Sequence, residues 1–246
     1  MGNPAGKSAR KAVMDIPPWP PRHATHSLAV LVSGGLDSAV LLSEAVRHYP
    51  AVHPMYVRTG SAWEEIEFAH LQRFLGAMAC PALKPLHTFR FPVDDIYGDH
   101  WSLTGKNVPD ENSPDEAVFL PGRNMILLSK ALLWCHLHGI HEVAMGPLGA
   151  NPFPDATPEF YAEMAGVVNR AVGGNVTVVT PYSHLTKAEV IRRAGKAPLG
   201  FTFSCLRPMG GKHCGRCNKC AERQQAFAEA RVTDPTVYAR GEERHF

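Results

Sequence analysis

Four of the six cysteines lie close together near the end of the sequence. Cys205 is followed by Cys214, Cys217 and Cys220, so that the last three form a C-x-x-C-x-x-C pattern. Four thiolates close a tetrahedral site, which is the usual arrangement of structural zinc. Unrelated buried cysteines rarely have this spacing. The pattern therefore predicts a zinc site, with an iron–sulfur cluster as the alternative.

A short polar segment, "SGGLDS" (residues 33–38), separates an apolar run from a segment with helical periodicity. Glycines let the backbone turn tightly and bring its N–H groups to a ligand. The N-terminus of the following helix adds its positive end and its free N–H groups. Such a site suits phosphate, although a tight strand–helix turn without a ligand has the same composition. The loop has neither the lysine of a Walker A motif nor the spacing of a dinucleotide fingerprint, which disfavours both of those classes.

Alternating strand-like and helix-like segments must position this loop. Residues 28–32 form a continuous apolar run, typical of a strand buried on both faces. Further strands are predicted at residues 52–57, 88–91, 142–145 and 176–179, and helices at 37–48, 64–79, 124–138, 158–172 and 186–194. Residues 92–118 are polar and predict a loop over a site. The alternation indicates an α/β fold with a parallel sheet, in which ligands bind at the carboxyl ends of the strands.

The bulk composition bounds the remaining possibilities. The chain has 246 residues, 45% of them apolar, and a formal net charge of +2, which gives no strong indication of nucleic acid. It has no apolar run of about 18 residues and no secretory h-region, so we expect a cytoplasmic protein without a membrane partner. We predict a disordered tail at residues 1–26, an α/β domain at 27–200 and a four-cysteine segment at 201–246.

The segment "SGGLDS" resembles the pyrophosphate loop of the ATP-pyrophosphatase (PP-loop) superfamily, whose Rossmann-like fold is of the adenine-nucleotide alpha hydrolase type. In that superfamily the loop holds the β- and γ-phosphates while ATP is cut at the α-phosphorus and a substrate oxygen is adenylated. The resemblance implies that Asp37 helps to hold Mg²⁺, since a hard cation prefers oxygen ligands. It also implies these ATP-binding residues: Ser33, Gly34, Gly35, Leu36, Asp37 and Ser38.

Further segments extend the resemblance to one family. "FLPGRNMILLSKA" (119–131), "TPYSHLTKAEV" (180–190) and the four-cysteine tail follow the loop in the order found in 7-cyano-7-deazaguanine synthases, the nitrile-forming enzymes of queuosine-precursor biosynthesis. The resemblance covers about residues 28–228 and implies MgATP, Zn²⁺, ammonia and a homodimer. It also implies the reaction: the carboxylate of 7-carboxy-7-deazaguanine is adenylated, ammonia gives an amide, and a second adenylation permits elimination to the nitrile.

Two basic residues are candidates for the phosphate end of this site. Arg123, beside Gly122 at a predicted helix N-terminus, could hold a phosphate or carboxylate bidentately, and a surface-paired arginine is the alternative. Lys187 matches the family's Thr-Lys-Ala-Glu segment and is a candidate phosphate contact, although a solvated helix lysine would look the same. With Asp37 and Ser38 these two residues form the predicted catalytic set.

Two segments depart from the family pattern. The family's Gln-Arg-His stretch is replaced by Gly-Ser-Ala at residues 60–62. The family's Tyr-Pro-Asp-Cys-Arg segment corresponds to "GANPFPDATPEF", where Thr157 stands in place of the arginine. Phe153 could stack on a purine-like base and Asp155 could pair with its N–H edge, or both could be ordinary loop residues. The acceptor half of the site therefore diverges while the nucleotide and metal halves match.

Several functions remain open from sequence alone. A nitrile synthase fits best, and a related amidase or ligase could act on a different carboxylate. An RNA-modifying PP-loop enzyme such as a tRNA thiolase would be expected to add an RNA-binding domain or a basic stripe. A zinc-stabilised module that binds nucleotide without catalysis would have no need of Asp37.

Overall fold

A computed structural model describes residues 19–21 and 24–239 of the protein. Most of the predicted N-terminal tail (1–18 and 22–23) and the last seven residues of the predicted C-terminal segment (240–246) lie outside the described residues. The proposed domain boundaries therefore stay predictions.

The described residues contain one sheet of five parallel strands in the order β3–β2–β1–β4–β5. The strands are β1 (Leu28–Leu31), β2 (Val52–Arg58), β3 (His87–Arg90), β4 (Glu142–Ala144) and β5 (Thr177–Val179). Leu28 lies opposite Val52 of β2, and Ala29 lies opposite Val143 of β4. The strand order reverses between β1 and β4, and such switch points are where open parallel sheets bind ligands. The predicted parallel α/β architecture is confirmed.

Helices cover both faces of this sheet. They are α1 (Leu36–His48), α2 (Glu64–Ala77), α3 (Asp94–Tyr97), α4 (Trp101–Thr104), α5 (Arg123–Leu137), α6 (Pro158–Val172), α7 (Lys187–Arg193) and α8 (Asn218–Ala230). The predicted loop 92–118 contains α3, α4 and a 3₁₀ turn at Asp115–Val118, which are too short to leave a periodic apolar signal. The sequence analysis also missed α8, a mostly polar helix that begins immediately after Cys217.

Alternate residues of β1 pack into two different cores. Leu28 and Val30 pack with residues of α1, α2 and α7, whereas Ala29 and Leu31 pack with α5 and α6. The strand is buried on both faces, which accounts for its continuous apolar sequence. Full burial of a leucine or valine side chain contributes about 1.5–3 kcal/mol. The loop after β1 therefore leaves a firmly held strand.

A third core joins the C-terminal segment to the carboxyl edge of the sheet. It contains the four clustered cysteines together with Trp63, Val118 and Phe203. The amide of Phe203 donates a hydrogen bond of 2.7 Å to the carbonyl of Gly34. The ring nitrogens of His70 on α2 lie 3.3 Å from the carbonyl oxygens of Phe201 and Gly211. The cysteine segment is thus anchored directly to the glycine loop. Within the described residues, no helix has the length and apolar character needed to cross a bilayer.

Candidate active site

A cleft of about 340 Å³ lies at the carboxyl ends of β1 and β4. Its walls come from the 33–37 loop, the first turn of α5, residues 146–155, and the helices α7 and α8. An adjoining cavity of about 200 Å³ extends toward β2 and residues 59–64. Both spaces are lined by Ser33, Asp37 and Arg123. The structure therefore brings the predicted nucleotide residues and the predicted substrate residues to one site.

The conformation of the glycine loop is fixed by its own side chains. The Oγ of Ser38 accepts a hydrogen bond of 3.1 Å from the amide of Ser33 and donates one of 3.3 Å to the carbonyl of Gly35. Gly34 has a φ of +72°, and a Cβ there would lie 3.2 Å from Cγ of Glu67. Only glycine fits this position without strain. Gly34 thus shapes the loop, while Ser33, Gly35 and Ser38 line the cavities.

The N-terminus of α1 is open toward an anion. Its N-cap is Gly35, so no side chain caps the amides of the first turn. Unfilled amides at a helix N-terminus favour phosphate. Leu36, the first residue of the helix, lines the larger cleft. This is the geometry that the sequence predicted for the loop.

Asp37 has one carboxylate oxygen in an ion pair and one without a hydrogen-bond partner among the described residues. Its Oδ2 lies 3.3 Å from Nζ of Lys187. Its Oδ1 is buried and has no hydrogen-bond partner among the residues that the structure describes. A buried carboxylate oxygen without a partner is costly unless a cation or donor arrives. This arrangement fits Mg²⁺, which proteins often bind through one or two carboxylates together with substrate phosphates.

Lys187 lies between two carboxylates rather than in solvent. Its Nζ is 2.6 Å from Oε1 of Glu222 on α8, and Oε2 of Glu222 is 2.8 Å from Nζ of Lys219. Burial lowers the pKa of Lys187, but Asp37 and Glu222 more than offset this and raise it above its usual value. Burial likewise raises the pKa of Glu222, but Lys187 and Lys219 bring it down to about 2. All of these groups line the same cleft.

Arg123 presents a cation that has no side-chain partner in the described part of the chain. It is the first residue of α5, whose N-cap Gly122 has a φ of +70°. Its guanidinium makes no hydrogen bond or ion pair within residues 19–21 and 24–239, and it lines both cavities. This placement favours a ligand anion over the surface-paired alternative. Gly122 shapes the turn and does not line either cavity.

Glu67 on α2 lies beside the glycine loop and also lines both cavities. The hydroxyl of Tyr56 donates a hydrogen bond of 2.8 Å to its Oε1. Burial raises the pKa of Glu67 to about 7, against the opposing effects of Tyr56 and of the positive charge on Arg123. A carboxyl group with such a pKa can exchange a proton near neutral pH.

The acceptor side of the cleft is held together by its own hydrogen bonds. Oδ2 of Asp155 accepts a bond of 2.9 Å from the amide of Asn124, and the Asn124 side chain donates one of 2.9 Å to the carbonyl of Asp155. These bonds tie the 150s loop to the start of α5. Phe153 lines the cleft, with its ring 5.1 Å from that of Phe119. Contact of Phe153 or Asp155 with a base stays a prediction.

The divergent segment after β2 is also internally bonded. The carboxylate of Glu64 accepts hydrogen bonds from the amides of Thr59 (2.6 Å) and Gly60 (2.8 Å) and from Nε of Arg58 (2.9 Å). Trp63 immediately precedes Glu64 in the chain, and its ring stacks on that of Trp101 of α4 with 5.8 Å between the ring centroids. This wall of the cleft is therefore rigid and aromatic.

The four clustered cysteines form a site of metal-binding size. Their sulfur atoms all lie within 4.8 Å of one another, and two pairs, Cys205–Cys217 and Cys214–Cys220, are 3.9 Å apart. Zn–S bonds of about 2.3 Å in a tetrahedron place sulfurs about 3.8 Å apart. All four are buried, and the amide of Leu206 donates to the Cys217 sulfur at 3.4 Å. The cluster can hold a metal, and its donor set fits zinc.

Comparison with known proteins assigns the family. The family model described as "Queuosine biosynthesis protein QueC" matches residues 27–231. The chain belongs to the QueC family. Similar relatives include the 7-cyano-7-deazaguanine synthases of Geotalea uraniireducens (37% identical, covering 87% of this chain and 97% of the relative) and Syntrophobacter fumaroxidans (35% identical, covering 86% and 95%). Among solved structures, U34-tRNA thiolase NcsA from Methanococcus maripaludis aligns at a TM-score of 0.41 and 15% identity, covering 76% of this chain and 64% of that one.

Three residues of this QueC-family site were not predicted from sequence as functional candidates: Glu67, Lys219 and Glu222. Lys219 and Glu222 are three residues apart on α8, and the missed helix concealed their common direction. Glu67 lies in an ordinary amphipathic helix, where nothing in the local pattern separates it from a solvated glutamate. Their places in the site depend on contacts between distant elements.

Proposed function

We propose that this protein is an ATP-dependent carbon–nitrogen ligase that converts 7-carboxy-7-deazaguanine to 7-cyano-7-deazaguanine. The observation that carries the proposal is the QueC family match along residues 27–231. Relatives of 31–37% identity bear the name 7-cyano-7-deazaguanine synthase, and the chain covers 95–98% of their lengths. An RNA-modifying PP-loop enzyme is not favoured by these names.

The chemical difficulty of the reaction matches the charges in the cleft. A carboxylate and ammonia form only a salt, so a carboxylate oxygen must first become a leaving group. Transfer of an adenylyl group achieves this and releases pyrophosphate. The protein's task is then to position the reactants and to neutralise phosphate charge. The open amides of α1 and the guanidinium of Arg123 supply fixed positive potential at one end of the cleft, and Lys187 is held there between Asp37 and Glu222.

Three of the four predicted catalytic residues have the following roles in this scheme. Ser38 holds the loop in its phosphate-binding shape through its bonds to Ser33 and Gly35. Asp37 would hold Mg²⁺ through its unpartnered Oδ1, and the ion would neutralise charge on the phosphates. Arg123 would bind a phosphate or the acceptor carboxylate, since its guanidinium makes no hydrogen bond or ion pair with the residues that the structure describes.

We further propose zinc as the metal of the cysteine cluster, with a structural role. Support comes from the sulfur separations and from the bond between Phe203 and Gly34, which connects the segment to the glycine loop. Ammonia as the nitrogen source and a homodimer follow from the family resemblance, and these two points and the cytoplasmic location stay predictions.

The test is to incubate the purified protein with MgATP, ammonium and 7-carboxy-7-deazaguanine and to follow products by mass spectrometry. We expect the nitrile together with AMP and pyrophosphate, and loss of all three with Asp37→Asn. AMP release with another carboxylate, but no nitrile, would instead indicate a related amidase or ligase. Metal-loaded protein that releases no AMP with any acceptor would indicate a binding module.

A further inference from the structure

The cysteine segment places charged side chains in the cleft as well as holding a metal. Lys219 lies between two of the cysteines in the first turn of α8, and Glu222 lies one turn further along. Both line the cleft at the same end as Lys187 and the glycine loop. The lysine and glutamate belong to α8, so the cysteines that begin this helix also position their charges.

These groups form a continuous chain of ion pairs that ends at the glycine loop. Lys219 contacts Glu222 at 2.8 Å, Glu222 contacts Lys187 at 2.6 Å, and Lys187 contacts Asp37 at 3.3 Å. Glu222 is the one ion-pair partner of Lys219 in the described part of the chain. If Lys219 turns away, Glu222 keeps its contact with Lys187. Lys219 is therefore the cation that can leave this row of ion pairs without leaving a buried carboxylate unpaired.

Charge balance indicates what would draw Lys219 away. In this chain of ion pairs two carboxylates cancel two ammonium groups, so the set contributes no excess positive charge. Pyrophosphate is a polyanion near neutral pH and is held by cations and amides in proteins. A lysine on a flexible four-carbon stem that moves from Glu222 to a phosphate would supply positive charge at the point where it is needed.

Ser204 provides an independent sign of a ligand on the same wall. Its Oγ is buried and has no hydrogen-bond partner among residues 19–21 and 24–239. It lines the cleft next to Phe203, whose amide is bonded to Gly34 of the glycine loop. A buried hydroxyl without a partner is costly unless a ligand satisfies it.

We propose that Lys219 and Ser204 form a second, C-terminal half of the pyrophosphate site, opposite the glycine loop. Lys219 turns from Glu222 to the terminal phosphates of ATP and to the pyrophosphate product, and Ser204 Oγ donates a hydrogen bond to them. Glu222 is a positioning residue that holds Lys187 and pairs with Lys219 until a phosphate ligand binds. The inference rests on the proposed use of ATP but is independent of the acceptor's identity.

The experiment titrates magnesium pyrophosphate into the purified full-length protein by calorimetry, with AMP as the comparison ligand. We expect Lys219→Met to weaken pyrophosphate binding about tenfold and Ser204→Ala about threefold, since a charge-assisted hydrogen bond contributes more than a neutral one. Lys219→Arg retains the charge and should stay within about threefold of wild type. AMP has no terminal phosphates, so its affinity should not change in any variant.

The matched control is Lys212→Met, which removes an exposed lysine from the same segment. It should leave pyrophosphate affinity unchanged, and metal content per chain shows that each variant is folded. Unchanged pyrophosphate affinity in both Lys219→Met and Ser204→Ala would overturn the proposal. Equal losses for pyrophosphate and AMP would also overturn it and would assign Lys219 a structural role.

The outcome of the pyrophosphate titration can be distinguished from the outcome of the nitrile assay. Pyrophosphate binding that depends on Lys219, in a protein that makes no nitrile, supports this inference while the proposed acceptor fails. Nitrile formation by a protein whose pyrophosphate affinity does not depend on Lys219 would support the proposed function and contradict this inference. If the wild-type protein binds no magnesium pyrophosphate, the proposed pyrophosphate site is overturned.

Discussion

The two ends of the cleft use their polar groups in opposite ways. At the phosphate end, Oδ1 of Asp37, Oγ of Ser204 and the guanidinium of Arg123 have no hydrogen-bond partner in the described part of the chain. At the acceptor end, Asp155 is bonded to Asn124, and Glu64 is bonded to its own loop. The first end has groups left over for a ligand, whereas the second has bound its groups into the fold.

This difference indicates how each end recognises its ligand. Unpartnered charged groups bind charge, and they fit phosphates and Mg²⁺ whatever acceptor is present. Internally bonded loops form rigid walls, and here the walls carry Phe153 and the stacked Trp63 and Trp101. We expect the acceptor to be selected mainly by shape and stacking. The departure of this chain from the family pattern at the acceptor end would then change the substrate without changing the chemistry.

The largest expected effect is at the phosphate end. Asp37→Asn removes the charge that would hold Mg²⁺ and should lower kcat for AMP release by about 10³-fold, as is typical when electrostatic stabilisation of a transition state is lost. Folding should be little affected, because Oδ1 has no partner in the described protein and Lys187 keeps its ion pair with Glu222 when the charge of Asp37 is lost. Steady-state AMP release and urea unfolding measure the two effects. Asp95→Asn, on an exposed position of α3, is the control. A loss of less than tenfold would contradict the role given to Asp37.

Metal removal should affect both ends, because the cysteine segment packs against both. Cys220→Ser should abolish metal binding and lower the free energy of unfolding by several kcal/mol, since binding energy at a structural metal site is folding energy. AMP release should fall with it, because Phe203 and Glu222 lose their support. Cys80→Ser lies outside the cluster and serves as the control.

Elemental analysis of the same samples identifies the metal. We expect zinc in wild type and in Cys80→Ser, with none in Cys220→Ser. Iron with a visible absorption band would support the iron–sulfur alternative. Full activity of metal-free protein would contradict the proposed structural coupling.

Sequence predicted best what is encoded by neighbouring residues. The buried strand β1, the glycine loop and the cysteine pattern each depend on types and spacings within a short stretch, and the structure has all three. The capping box of Thr186 and Glu189 that starts α7 is another feature made by residues close in the chain. Such patterns carry their own geometry, because the residues that interact are close in the chain.

What sequence did not predict depends on distant elements. The sequence made Lys187 a candidate phosphate contact or a solvated helix lysine, but its ion pair with Glu222 forms only when α8 packs against α7. Asp155 resembled a free ligand because its bond to the Asn124 amide is made only when the loop folds against α5. The short helices α3 and α4 have four residues each, too few for a periodic pattern.

Glu67 lines both cavities, and its ionisation should change the free energy of unfolding with pH. Its pKa is raised from 4.5 to about 7, mainly by burial, so the folded state holds its proton more tightly than the unfolded state. Its contribution is therefore greatest below about pH 4.5 and is lost as pH rises toward about 7, by at most about 3 kcal/mol. Glu67→Gln should not show this loss.

The measurement is urea unfolding of wild type and Glu67→Gln between about pH 5 and about pH 8, compared as a difference so that effects of the metal site cancel. The difference should change in favour of Glu67→Gln as the pH rises. Glu163→Gln, on an exposed position of α6, should unfold in parallel with wild type. Parallel curves for Glu67→Gln would show that Glu67 titrates as an ordinary solvated carboxyl group.

The smallest expected effect tests the acceptor end alone. Phe153→Leu keeps an apolar side chain but removes the ring, and it should raise KM for the acceptor about three- to tenfold, the usual size of a lost aromatic contact. KM for ATP should not change, since the ring of Phe153 has no charged or hydrogen-bonding group to offer the phosphates. Phe119→Leu makes the same change behind Phe153, on a ring that does not line the cleft. If both variants raise the acceptor's KM equally, the loop's packing matters rather than stacking. If ATP is affected as well, the two ends of the cleft are not independent, and divergence at 60–62 and 149–160 would alter the chemistry along with the substrate.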